Sequence, residues 1–218
     1  MQITPAILVQ TFTELKKQLK QVEPIFEYVQ LDIMDGIFVD NKSFEYNEDK
    51  DLANFFENLE INLKLELHLM VNNPLDEIEK WKNVESVFRI IFHFESKDNI
   101  TKVINKVREN RWQVGISLNP DTTIDKIIPY LNDIKVLQFM TVTPGKQGNP
   151  FRPEIEEKVQ KINRLSNKPL ISVDGGVCLD NIQMIKNWGV DIFNVGSALM
   201  KQNNIEKARD ALYNKILK

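Results

Sequence analysis

Short β-like runs alternate with longer amphipathic stretches from one end of this chain to the other. The runs are ITPAIL, YVQLDI, LKLELHLM, FRIIFHF, WQVGISL, KVLQFMTV, PLISVDG and DIFNVGS. Between and after them lie TFTELKKQLKQV, DLANFFENL, NPLDEIEKW, DNITKVINKVREN, TTIDKIIPYL, PEIEEKVQKINRL, LDNIQMIKNW and IEKARDALYNKIL, whose apolar residues return at helical spacing. Thr11 or Thr13, Asp98, Asp121 to Thr123, and Asp180 place side-chain oxygens where several of these helices are expected to start. Strands joined through helices lie parallel, so the alternation predicts a parallel α/β fold. Eight units with no leftover edge strand favour closure into a (β/α)8 TIM barrel over an open doubly wound sheet. With 218 residues, 42% of them hydrophobic, and no Ser/Gly/Pro-rich linker, the expectation is one barrel domain over residues 1–218.

Successive side chains on a strand point to opposite faces, so parity sorts each run into two sets. In the stretch YVQLDIMDGIFV, Val29, Leu31 and Ile33 oppose Gln30, Asp32 and Met34. In LKLELHLM, four leucines oppose Lys64, Glu66, His68 and Met70. Ser172 and Asp174 oppose Ile171 and Val173, while GISLNP, KVLQFM and IFNVGS offer Ser117, Asn119, Gln138, Met140, Asn194 and Gly196. In a closed barrel the aliphatic set packs under the helices and the other set faces the interior. Polar residues near the C-terminal strand ends then converge at one mouth, where such barrels do chemistry. An antiparallel sheet with one wet face would show the same alternation, but the interposed helices argue against it. The polar stretch DGIFVDNKSFEYNEDK is too long for an ordinary connection, and loops of that kind tend to serve function.

The charge pattern narrows the partners. Net charge is −3 with acidic and basic residues interleaved, and no basic stripe carries aromatics, so a nucleic-acid partner is not expected. A lone cysteine, Cys178, excludes an internal disulfide and a CxxC zinc site and fits a reducing, cytoplasmic setting. The stretch MQITPAILVQTF has neither the charged start nor the long apolar run of a signal peptide or membrane span.

Taken in order, LDIMDGIFV, ELHLMVNNP, FHFES, LNPDT, MTVTPG, SVDGG and VGSALM resemble the ribulose-phosphate 3-epimerase family, from TPAIL to GSALM. The resemblance implies two aspartates at the barrel mouth, Asp32 and Asp174, acting as acid and base on opposite faces of a sugar phosphate. It also implies a divalent metal (zinc, or iron, manganese or cobalt in its place) bound by Asp32, Asp174 and His68. A second family histidine would stand two residues before Asp32, where this chain has Gln30, a weaker ligand for zinc if it is one at all. By the same resemblance Met34, Met70, Met140 and His93 line the site, and Gly145, Gly148, Gly175, Gly176, Gly196 and Ser197 bind the phosphate. Glycine lets backbone amides approach an anion closely, and phosphate sites follow the last two strands of such barrels.

That set of groups suits the epimerisation of a ketose phosphate such as D-ribulose 5-phosphate to D-xylulose 5-phosphate. A proton beside a carbonyl is removed and returned from the other side, and the enediolate between needs a cation or donors beside its oxygens. Burial and mutual repulsion are expected to raise one aspartate pKa, leaving one partner protonated and one ionised. The chain departs from the family pattern at Gln30, at Ala6 in place of a serine, at Lys146 in place of an aromatic, and at Ile37, Asp40 and Glu45 in the long loop. These departures leave open a phosphosugar-binding barrel with weak or lost turnover, and another enolising reaction such as aldose–ketose isomerisation. Homo-oligomerisation is also left open.

Overall fold

The computed structural model describes residues 1–145 and 149–217. Its strands are β1 (Gln2–Ile7), β2 (Tyr28–Met34), β3 (Lys64–Met70), β4 (Val87–His93), β5 (Gln113–Leu118), β6 (Val136–Met140), β7 (Leu170–Asp174) and β8 (Ile192–Val195). They form a closed barrel in chain order, every neighbouring pair parallel and β8 returning to β1. The expected TIM-barrel architecture is therefore present. The helices are α1 (Phe12–Val22), α2 (Phe44–Asn47), α3 (Leu52–Glu57), α4 (Pro74–Trp81), α5 (Ile100–Glu109), α6 (Ile155–Asn163), α7 (Ile182–Asn187), α8 (Ser197–Met200) and α9 (Ile205–Leu217).

The pleat sorts side chains as parity requires. Val29, Leu31, Ile33, Leu65, Leu67, Leu69, Ile171 and Val173 are fully buried in the layer between sheet and helices. There they meet Leu15 and Leu19 of α1, Ile78 and Trp81 of α4, and Val159 and Ile162 of α6. Burying each such side chain contributes about 1.5–3 kcal/mol before the entropy of ordering is set against it. On the interior face Gln30 stands beside Glu66, Asp32 beside His68 and Met34 beside Met70 across the β2–β3 ladder.

The interior is layered. At the closed end Arg89 Nη1 meets Glu66 Oε2 at 2.6 Å, and Arg89 Nη2 donates to Gln113 Oε1 at 2.7 Å. Above this lies an apolar plug of Ile91, Val136 and Ile192. Gly115 leaves the room for it, since a Cβ there would sit 2.7 Å from Ile91 Cγ1. Polar residues return toward the mouth.

Two sequence expectations need correction. The segment TTIDKIIPYL forms two 3-10 turns, Ile124–Lys126 and Ile128–Asp133, and not an α-helix. Pro129 lacks an N–H and its ring crowds the preceding turn, which tolerates only short, tighter pieces. The helix starts also shift. Thr11 caps α1 as expected, accepting from Glu14 N–H at 3.2 Å. The cap of α5, however, is Asn99, which accepts from Lys102 N–H at 3.1 Å. Asp98 instead reaches sideways to the Leu75 N–H at 2.9 Å, serving the first turn of α4. Asn181, not Asp180, precedes α7, and Thr123 makes no side-chain cap bond.

The long connection after β2 folds back on itself. Asp35 Oδ1 accepts from the N–H groups of Ile37 and Phe38, both at 2.8 Å, and Asp35 Oδ2 accepts from Asn72 N–H at 2.7 Å. The second carboxylate of YVQLDIMDG thus holds a loop against the end of β3, while Asp32 remains for the interior.

Candidate active site

Adjacent strands bring the chemistry together. Asp32 and His68 are lateral neighbours on β2 and β3, and Asp174 ends β7 next to Met140 and Asn194. Ligand atoms of Asp32, His68 and Asp174 all lie within 4.8 Å of one another. His68 Nδ1 stands 3.1 Å from both Asp32 Oδ1 and Asp174 Oδ2. Gln30 Nε2 donates to the same two oxygens, at 3.1 Å and 2.9 Å. Two acids 142 positions apart in number thus share one pair of donors.

Burial sets the electrostatics. Desolvation, and then the charge of Asp174, hold the Asp32 carboxyl above the usual range, against hydrogen bonds from His68 and Gln30. Asp32 therefore takes up a proton more readily than an ordinary aspartate. Burial works against charge on His68, but its hydrogen bonds to Asp174 and Asp32 outweigh this and raise its pKa. For His93 burial prevails and pushes the imidazole down to about 4.

A cavity of about 180 Å³ opens above the two carboxylates. Asp32, Asp174, Met34, Met70 and Met140 line one part of it. Gly145, Gly175, Gly176, Gly196 and Ser197 line another. Met34 and Met70 also pack with Val39, Leu8 and Phe38 in a small apolar cluster separate from the main core. Gly145, Gly175 and Gly176 are required by conformation, each with a positive φ. Gly175 has φ +112° and its Cβ would strike Val142 Cγ2 at 2.5 Å; Gly145 has φ +98° and lies against Val39. The backbone between them is tied down by Thr141, whose N–H and hydroxyl donate to the Asp174 carbonyl at 2.7 and 3.0 Å. Gly148 and Lys146 lie outside the described residues.

Gln30, His68 and His93 are fully buried and do not line this cavity. His93 was expected at the mouth wall; it stands behind His68 instead, with the two Nε2 atoms 3.0 Å apart. Residues to which the sequence assigns no role also appear, among them Asn194, which parity places on the interior face. Asn194 lines the cavity while its Nδ2 donates to Gln138 Oε1 and Ser172 Oγ. Glu95, in FHFES, meets His93 Nδ1 at 3.3 Å. Its position two residues past His93 was the signal that could have found it.

The donor set fits a divalent cation. Two carboxylates and an imidazole nitrogen converge on one point, a combination that suits zinc, iron or manganese. Among the described residues Gln30 Oε1 is buried without a hydrogen-bond partner. Turning the amide over would exchange Nε2 for this oxygen and supply a fourth donor.

Comparison with known proteins agrees with this geometry. The family model described as "Ribulose-phosphate 3 epimerase family" matches residues 2–200. A protein named ribulose-phosphate 3-epimerase from Buchnera aphidicola subsp. Acyrthosiphon pisum is 30% identical over 96% of this chain and 94% of its own length. The protein of that name from Escherichia coli K12 is 28% identical over 99% of this chain and 96% of its own. The one from Schizosaccharomyces pombe is 27% identical over 99% and 94%. Among solved structures, 3-hexulose-6-phosphate synthase from Salmonella typhimurium superposes with a TM-score of 0.73 at 15% identity, covering 100% of this chain and 99% of that one, a likeness of fold. With the match running from β1 through α8, the chain belongs to the ribulose-phosphate 3-epimerase family of isomerases.

Proposed function

We propose that the protein epimerises D-ribulose 5-phosphate and D-xylulose 5-phosphate at the carbon beside the carbonyl, with Asp32 and Asp174 as the acid–base pair. The single observation that carries this reading is the convergence of both carboxylates, with His68 between them, on one cavity whose other part is glycine-rich backbone. One carboxylate takes the proton from the carbon, giving a planar enediolate; the other delivers a proton to the opposite face. Each turnover therefore leaves the two groups with exchanged protonation, ready for the reverse reaction. Burial and the charge of Asp174 raise the proton affinity of Asp32, which favours a starting state with one proton on the pair. Met34, Met70 and Met140 exclude water, which keeps the intermediate from exchanging its proton at random. Backbone at Gly175, Gly176, Gly196 and Ser197 is open enough to hold the phosphate, fixing the carbon chain over the acids.

Asp32, His68 and Asp174 would hold the cation, zinc or one of iron, manganese and cobalt, with Gln30 as a weak fourth donor. Bound there, a cation supplies positive charge for the enediolate oxygens. Cytoplasmic function is in keeping with the lone Cys178. Among the described residues no helix is long and apolar enough to cross a membrane.

The test is solvent-deuterium incorporation at the carbon beside the carbonyl, followed for a panel of ketose phosphates with divalent metals supplied. Asp174→Asn should lower kcat by about 10²–10⁴-fold while leaving ligand binding nearly intact. The donor contact of Gln30 with both carboxylates, at a position where the family has a histidine, favours a second reading: a phosphosugar-binding barrel with weak turnover. Binding without deuterium incorporation in the wild-type protein would select it.

A further inference from the structure

The mechanism above leaves His93 and Glu95 unused, yet they continue the site in an unbroken line. His93 Nε2 lies 3.0 Å from His68 Nε2, and His93 Nδ1 lies 3.3 Å from Glu95 Oε2. The imidazole rings stack with centroids 5.1 Å apart, and Phe38 packs on His93 at 4.8 Å. Glu95 is itself anchored: its Oε1 accepts from Asn119 N–H at 3.0 Å and from the Thr122 hydroxyl.

The protons along this line are determined by donor and acceptor types. An ionised carboxylate only accepts, so Glu95 requires the proton on His93 Nδ1. A neutral His93 then offers a lone pair at Nε2, and the 3.0 Å contact requires His68 Nε2 to donate. What remains is His68 Nδ1, which points at the two aspartate oxygens. We propose that Glu95, acting through His93, is the positioning residue that keeps a proton on His68 Nε2 and so presents Nδ1 as ligand to the divalent cation shared with Asp32 and Asp174. Binding exchanges the Nδ1 proton for the cation and leaves the Nε2 proton in place. The line also fixes the plane of the His68 ring, since both its nitrogens are engaged. A metal-bound histidine ordinarily gives its second N–H to a carboxylate or carbonyl directly; here a second imidazole is interposed, and the carboxylate sets the tautomer of both.

This inference rests on the cation reading of the site given above, and its test does not need turnover. Zinc affinity is measured by competition with a chromogenic chelator for the wild-type protein, Glu95→Gln, His93→Phe and the double variant, with melting temperatures recorded alongside. Loss of an outer partner of a metal ligand weakens binding by about 10–100-fold, and each single variant should fall in that range with its melting temperature little changed. The double variant should bind no more weakly than His93→Phe alone, because Glu95 acts only through His93. His93→Gln, whose amide oxygen can take the His68 proton directly, should retain most of the affinity and make Glu95→Gln silent. Unchanged zinc affinity in both single variants, additive losses in the double variant, or a wild-type protein that binds no zinc would each overturn the proposal. A chain that shows the expected zinc pattern but fails to exchange the substrate proton keeps the relay and loses the epimerisation.

Discussion

Gln30 sits where two carboxylates meet, and its nitrogen does there what a cation would do from the opposite side. Each aspartate oxygen receives one hydrogen bond from Gln30 Nε2 and one contact from His68 Nδ1, so like charges are kept close without direct repulsion dominating. An amide can serve either as this donor or, turned over, as a weak oxygen ligand, but not as both. Gln30→His replaces it with a stronger zinc ligand, and zinc affinity measured by chelator competition should rise by about tenfold. No rise would show that position 30 is not in the cation's reach. Strand parity brings Asp32, His68 and Asp174 to one face, and the resemblance of LDIMDG, ELHLMV and SVDGG assigns them roles. What parity cannot supply is depth. His93 and Glu95 have the same parity as each other, yet one is sealed behind His68 while the other ends in a loop held by Thr122. That distinction depends on where β4 stops, at His93, which leaves no mark in the run FRIIFHF itself.

The short helix α2 shows how an element can carry an acid away from solvent for reasons unrelated to the chemistry. Glu45 in its first turn is held by the Ser43 hydroxyl, with both oxygens at 3.1 Å, close to the buried Glu77. Burial, then the charge of Glu77, push the Glu45 carboxyl from its ordinary value of 4.5 up to about 8. The sign follows from proton counting. Between these two values the folded protein binds a proton at Glu45 that the unfolded chain has released, so stability falls as pH rises. The contribution is present in full below pH 4.5 and is lost as pH climbs through about 8. Glu45→Gln should flatten that fall and make the protein more stable above pH 8 by about 1–3 kcal/mol. Urea unfolding midpoints across pH 5 to pH 9, about the range spanned by the two values, are the check. A second element-level outcome concerns β5: Gly115→Ala would press Ile91 inside the barrel and should cost about 1–3 kcal/mol, read from the same urea curves. The sequence shows a glycine in a strand but not the isoleucine across the ladder that needs its space. Likewise Pro129 is visible in TTIDKIIPYL, yet the helical spacing of its apolar residues masks how far the proline shortens the segment into 3-10 turns.

At the scale of the whole barrel the two ends divide the work. The mouth gathers Asp32, Asp174 and open glycine loops; the closed end is stapled by Arg89, Glu66 and Gln113. Alternation of runs was enough to anticipate eight parallel strands in order, because each helix must cross over and each strand must be covered on both faces. The staple was not anticipated, since Arg89 and Glu66 are unremarkable charges until β3 and β4 place them side by side with 6% and 2% of their surfaces exposed. Burial raises the Glu66 pKa even though the Arg89 guanidinium opposes it, so the carboxylate depends on its partner. Removing one member of a buried pair strands the other, which costs about 3–5 kcal/mol, whereas replacing both by apolar residues of similar size is often near neutral. Arg89→Met should therefore destabilise the protein by about that amount in urea unfolding, and Glu66→Met with Arg89→Met should recover most of the loss. Since removing Glu66 and Arg89 together leaves the net charge unchanged, kcat/KM of the folded double variant should stay close to wild type. A collapse of activity without loss of stability would mean that the Glu66–Arg89 pair, next to Gln30 on the β2–β3 ladder, holds Gln30 in place against the aspartates.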